Sequence, residues 1–287
     1  MKKNHCGKDY KPKSSLPIHL IATDLDGTLL NPRGEISLRS LRAMRACEAR
    51  GIRFVLASGR TFPGIRRLAR QAGLNSPIIS CNGARVDASP FGPTLMEDLL
   101  PAEVADEVFA LLAATDLYVE CYSGDDFYML RPERSPFPGP AAPAVVRDED
   151  GYEQRFFTTV EDMARVRHRA YKFAAFSRDP GVLAGLRERL ERLPVTINSA
   201  FPFNIEVMDM GRGKGRALTF LADHYVLKKE ELMAFGDGTN DLEMLLASGT
   251  PVAMANGEEA LKKIAAIVAP GNAEDGEAQV IEKWVLM

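Results

Sequence analysis

Cysteine is scarce and scattered. Cys6, Cys47, Cys81 and Cys121 form no CxxC pair, so neither a disulfide framework nor a thiolate zinc site is indicated, and a reducing compartment is the expected home. A basic excess is missing too. The formal net charge is -3 and the sequence pI about 5.9, which argues against a general nucleic-acid binder, since such proteins hold the phosphate backbone with a basic field. A small anionic substrate stays open, because one pocket can be positive on an acidic protein. No run of eighteen apolar residues occurs, so no membrane partner is expected. The basic opening MKKNHCGKDYKPKSSLP is followed by no apolar stretch and reads as a disordered tail, residues 1–17, on a cytoplasmic protein.

What the chain does have is rhythm. Its 287 residues, 46% hydrophobic and 26% charged, suffice for two domains or for one core with a large insertion. From residue 18 to 83, IHLIATD, IRFVLAS and PIISCNG read as strands, separated by the amphipathic helices SLRSLRAMRACEAR and PGIRRLARQAG. This alternation predicts a parallel sheet covered on both faces. Residues 84–202 read as an inserted α+β domain, with neighbouring strands LYVECYS and DFYMLRP, helices near 101–114 and 180–193, and strands AYKFAAF and VTINSA. Within it, RPERSPFPGPAAPAVVRDEDG is proline-rich and reads as a surface loop, with a substrate-gripping lid as the alternative. The α/β rhythm returns over 203–287, with FNIEVMD, LMAFGD and TPVAMA as strands and a helix after Lys214.

Polar residues sit where these strands end. Asp24 and Asp26 follow the first strand, and in an extended chain residues i and i+2 share a side. At about 4 Å and an effective dielectric near 20 two such carboxylates repel by roughly 4 kcal/mol, so they need a cation, a shared proton or solvent. Ser58 in ASGR, Asn82 in CNGA and Asp237 in FGDGTND end three further strands. Ligands of an open parallel sheet bind beyond the carboxyl ends of its strands, so these groups can converge. Asn240 and Asp241 stand where a helix should start; a cap and a first-turn charge explain them as well as a site does. Lys214, in GRGKGRALTFL, fits neither the Walker spacing nor GxGxxG. A lysine among glycines at a helix start suits a phosphate, and equally a solvated turn. Asp24, Asp26, Asp237 and Asp241 offer only hard oxygen atoms, which suit Mg²⁺ better than zinc or copper.

DLDGTLL, ASGR, the lysine of GRGKGRAL and GDGTND resemble, in order, the four motifs of the haloacid dehalogenase superfamily of phosphotransferases. SCNGARV, VAMANG and the place of the insertion resemble its Cof-like, type IIB sugar-phosphatase branch. Gly213, before the lysine, departs from the serine or other small residue expected there. The resemblance implies a Rossmann-like parallel sheet core, residues 18–83 and 203–287, with an α+β cap at 84–202. It also implies a Mg²⁺-dependent phosphatase of small phosphorylated metabolites, with a phosphomutase on the same scaffold as the alternative. Asp24 would be the nucleophile and Asp26 the general acid and base. Asp24, Asp237 and the carbonyl of Asp26 would hold the metal, with Asp241 tied to its waters. Ser58, Lys214, Asn240 and the backbone N–H groups near Leu25 and Gly59 would bind phosphate, and Arg60 and Asn82 would face the substrate or brace the cap. Tyr122, Phe127 and Tyr128 read as cap core before sugar platform. An aspartate-phosphorylated signalling module fits less well, because it has no alkoxide for Asp26 to protonate. Nothing in the sequence sets the oligomeric state.

Overall fold

The computed structural model describes residues 17–136, 145–199 and 202–287; the expected tail lies almost wholly outside them. The first strand, β1 (Leu20–Thr23), is buried throughout. Helix α1 (Leu38–Ala49) opens where Ser37 Oγ accepts the Ser40 N–H at 3.0 Å. After β2 (Arg53–Ala57), α2 (Phe62–Ala72) carries Pro63 in its first turn and stops at Gly73, which takes the left-handed φ of +72°. Next come β3 (Ile78–Ser80), β4 (Arg85–Asp87), β5 (Thr94–Glu97) and α3 (Ala102–Ala113). The cap continues with β6 (Tyr118–Ser123), β7 (Asp126–Leu130), β8 (Val145–Arg147), β9 (Glu153–Phe157), α4 (Val160–Val166) and β10 (Ala170–Phe176). It closes with α5 (Pro180–Leu190), β11 (Val195–Asn198) and β12 (Asn204–Asp209). The core then resumes with α6 (Lys214–His224), β13 (Leu232–Gly236), α7 (Leu242–Ala247), β14 (Thr250–Met254), α8 (Glu259–Ile264), β15 (Ile267–Ala269) and α9 (Gly276–Trp284).

Among the described residues the core sheet runs β15-β14-β13-β1-β2-β3-β4-β5. It is parallel from β15 to β3, and β4 and β5 extend it antiparallel. Apolar side chains pack on both faces, with Phe54, Ile65 and Ile281 on one and Val55, Leu218 and Leu245 on the other. The second sheet runs β11-β12-β10-β6-β7-β9-β8 and packs Phe173, Val119 and Val207 against α3 and α5.

Three expectations change. FNIEVMD forms β12, which pairs with β10 and β11 in the cap sheet instead of returning to the core; its alternation of buried apolar and polar residues suits either sheet, and only pairing decides. Residues 85–97, expected in the insertion, extend the core sheet as β4 and β5. The proline-rich stretch is not all loop. Its residues 145–147 form β8, and the turn that follows docks on the core, where the buried Arg66 of α2 donates to Asp148 and Asp150 and lies over the Tyr152 ring at 4.6 Å. No helix among the described residues is long and apolar enough to cross a membrane.

Candidate active site

β1 lies between β2 and β13, where strand order reverses along the sheet, and this is the position at which a crevice opens beyond the carboxyl ends. The Asp24 N–H donates to the Phe235 carbonyl at 3.1 Å, and the carbonyl of Leu25 accepts from the Leu30 N–H at 2.8 Å, so the chain folds into a tight loop immediately after the strand. Gly27 in that loop has φ +90°, and a Cβ there would stand 2.2 Å from Asp237 Oδ2. Only glycine fits. Gly83, with φ +96°, likewise lets the Gly213 carbonyl approach to where its Cβ would be, 2.3 Å away. The departure at Gly213 has a mild steric meaning, since a side chain there would meet only the carboxylate end of Glu243.

Lys214, from the start of α6, is fully buried and donates to Asp24 Oδ1 at 2.5 Å and to Asp241 Oδ1 at 2.6 Å. Asp241 Oδ2 accepts the N–H groups of Asp237 and Gly238, both at 3.1 Å, and so ties the loop after β13 to the lysine. Asp237 Oδ1 accepts from Thr28 Oγ1 at 2.8 Å. One oxygen from each of Asp24, Asp237 and Asp241 lies within 4.8 Å of the others. Burial, and then the neighbouring carboxylates of Asp241 and Asp237 working against Lys214, raise the Asp24 carboxyl well above its ordinary range. Burial also raises Asp237, to about 6, with Asp241 and Asp26 adding and Thr28 opposing. Lys214 loses charge stability to burial but regains more from Asp24 and Asp241, so it is held protonated. When all three are ionised, the carboxylates around one ammonium leave two negative charges unbalanced. A divalent cation with oxygen ligands fits that deficit.

The remaining expected residues take distinct places. Asp24, Asp26, Ser58, Gly59, Arg60, Asp237 and Asn240 line one cavity of about 530 Å³. Asp26 turns its carboxylate away from the acidic cluster to a bidentate pairing with Arg60, at 2.5 and 2.9 Å, and both side chains are about half exposed. Ser58 Oγ accepts the Arg60 N–H at 3.2 Å. Leu25 is buried beside the loop it closes. Asn240 does not cap α7; its amide donates to Asn82 Oδ1 at 3.3 Å. Asn82, held at φ +55°, in turn donates to Glu206 of β12 and thus bridges core and cap. From the cap the cavity is lined by Tyr122, Lys172, Ser199 and Glu206. Sequence reasoning missed Lys172, Ser199 and Glu206, and it weighed Tyr122 toward the cap core. A signal existed: AYKFAAF and LYVECYS each place one charge inside an otherwise uncharged strand, and FNIEVMD places Glu206 between Ile205 and Val207.

A mainly parallel sheet covered on both faces, whose central strand ends gather carboxylates around a buried lysine, is an arrangement suited to a hydrolase that handles phosphate esters. The chain belongs to the haloacid dehalogenase-like hydrolase family, whose sequence model matches residues 21–281, and it is a phosphoric monoester hydrolase. It is 30% identical over 279 residues to the Bacillus subtilis 5-amino-6-(5-phospho-D-ribitylamino)uracil phosphatase YcsE, covering 96% of this chain and 98% of that one. It is also 30% identical over 264 residues to the HMP-PP phosphatase of Serratia proteamaculans, covering 85% and 86%. A haloacid dehalogenase-like hydrolase structure from B. subtilis superposes with a TM-score of 0.79 at 27% identity, over 93% of this chain and all of that one.

Proposed function

We propose that the chain is a cytoplasmic, Mg²⁺-dependent phosphatase of small phosphorylated metabolites, sugar phosphates foremost, acting through an aspartyl-phosphate. The observation that carries this reading is the meeting of Asp24 and Asp241 on the Lys214 ammonium, brought from positions 190 and 27 residues away. An oxygen of Asp24 attacks phosphorus, the bond to the leaving oxygen breaks, and Asp26, in its acid form, gives that oxygen a proton. Asp26, now a base, takes a proton from water as the water attacks phosphorus, and Asp24 is released. Arg60 orients Asp26 between these two duties. Lys214, Ser58, Asn240 and the N–H groups near Leu25 and Gly59 meet the charge on the phosphoryl oxygens. The side chains of Asp24 and Asp237 and the carbonyl of Asp26 would hold the ion, while Asp241, its oxygens already committed to Lys214 and the loop, adds charge to the site. When bound, the ion offsets the carboxylates and polarises the phosphoryl group.

The test is phosphate release from a panel of monoesters with Mg²⁺ and with excess chelator. Release with the metal and none with the chelator is expected. Undiminished turnover in chelator refutes the metal-dependent reading, and phosphate that moves to another hydroxyl of the sugar instead of appearing free points to a phosphomutase.

A further inference from the structure

The cap face toward the cavity carries charges that the reaction itself does not use. Strand alternation puts Phe173 and Ala175 of β10 against the cap helices and sends Lys172 the other way, beside Glu206 of β12 and Tyr122 of β6. Lys172 is 1% exposed, and its Nζ donates to Glu206 Oε1 at 2.7 Å and sits 4.3 Å from the centre of the Tyr122 ring. Glu206 is committed twice, to Lys172 and to Asn82, and Asn82 touches Asn240 on the phosphate side. The Tyr122 hydroxyl donates to Glu120 Oε2 at 2.8 Å, and Tyr118 holds the other oxygen at 2.8 Å. An ordered polar chain therefore runs from the phosphate end of the cavity to the cap interior.

Each cation of this wall has its counter-charge. Lys172 pairs with Glu206, and across the cavity Arg60 pairs with Asp26. A second anionic group that drew Lys172 to itself would leave the buried Glu206 carboxylate with the Asn82 amide and without its counter-charge, which is costly. A hydroxyl group can join the pair without breaking it, because it donates to the carboxylate and accepts from the ammonium. Asn82, itself buried, holds Glu206 in place from the core side.

We propose that Lys172 and Glu206, the latter positioned by Asn82, are the specificity-determining residues of this enzyme, selecting a neutral leaving group that carries hydroxyls and rejecting one that carries a second phosphate. This rests on the phosphatase reading. The closing experiment compares kcat/KM of the full-length chain for ribitol 5-phosphate, pentyl phosphate and ribitol 1,5-bisphosphate, with 4-nitrophenyl phosphate as a hydroxyl-free reference. The wild type should favour the polyol over the alkyl ester by about 10- to 100-fold, the range that a hydrogen bond to a charged partner supplies, and should disfavour the bisphosphate. In Glu206→Gln and in the double variant Lys172→Met with Glu206→Gln, which strands no lone charge, the polyol-to-alkyl ratio should fall about tenfold or more, mainly through KM. A wild-type ratio near one overturns the assignment without any variant, as does an unchanged ratio in either folded variant. Hydrolysis of 4-nitrophenyl phosphate without polyol preference sinks this inference alone, whereas no phosphate release from any ester sinks the phosphatase reading with it.

Discussion

Glu277, in α9, reaches the end of β1 beside Asp24 and is 2% exposed. Its Oε2 accepts from Thr23 Oγ1 at 2.9 Å, and that hydroxyl also reaches the Asp24 carbonyl at 2.9 Å. Among the described residues Oε1 has no hydrogen-bond partner. Burial, reinforced by the Asp24 charge and opposed by the Thr23 hydrogen bond, pushes the carboxyl up from 4.5 to about 8. The folded protein thus keeps a proton there that the unfolded chain gives up near its ordinary value. Stability must fall as pH rises between those two values, by about 1.4 kcal/mol per pH unit and by at most roughly 5 kcal/mol in all, and then level off above the folded value. Glu277→Gln keeps the shape and the donor of the protonated acid and cannot ionise. Urea unfolding of both proteins, followed by circular dichroism at half-unit steps from about pH 5 to 9, should therefore give curves that diverge. The variant should gain steadily on the wild type as pH rises and hold a constant advantage at the alkaline end. A difference that stays flat across the whole range would show that Glu277 is ionised in the fold, and would refute the reasoning.

Three other outcomes are expected. Activity should return to chelated enzyme with Mg²⁺ and only weakly with Ca²⁺, whose larger and looser oxygen shell misplaces the phosphate; equal recovery with both ions argues against a small octahedral site. Asp24→Asn should abolish the rapid burst with an aryl phosphate, while Asp26→Asn should retain a burst from a leaving group that needs little protonation, and identical loss in both variants contradicts the separate roles. Arg66→Gln should cost about 1–3 kcal/mol, because Asp148 and Asp150 lose the buried guanidinium they share against α2 while Arg70 still pairs with them. Thermal unfolding and hydrogen exchange over the β8–β9 turn report it, and a loss below about 1 kcal/mol means the clasp is only a surface pairing.

The strand ends of the core were readable because each closes an apolar run with a polar residue, and a parallel sheet brings such ends together whatever their separation in the chain. Lys214 was ambiguous alone; in the fold it is buried between Asp24 and Asp241, which excludes the solvated turn. The cap was less legible. FNIEVMD has the composition of a strand in either sheet, and nothing local records that Ala174 pairs with Glu206 on one side and Glu120 on the other. The specificity wall escaped notice for a related reason. Single charges in separate strands become one group only through register, a long-range property that no local pattern encodes.

β1 sits in the middle of the core sheet, yet its neighbour β13 is made roughly 200 residues later. The cap strands β6 to β12 are contiguous in the chain, so they can close their own sheet while the core still lacks one flank of its central strand. At ribosomal speeds of about 5–20 residues per second, the nascent chain waits about 10–40 s between emergence of Asp24 and arrival of Asp237. Through that interval the edge of β1 that will meet β13 has no partner and is open to wrong pairing, and a chain that stops before β13 carries Asp24 without Asp237 and Asp241.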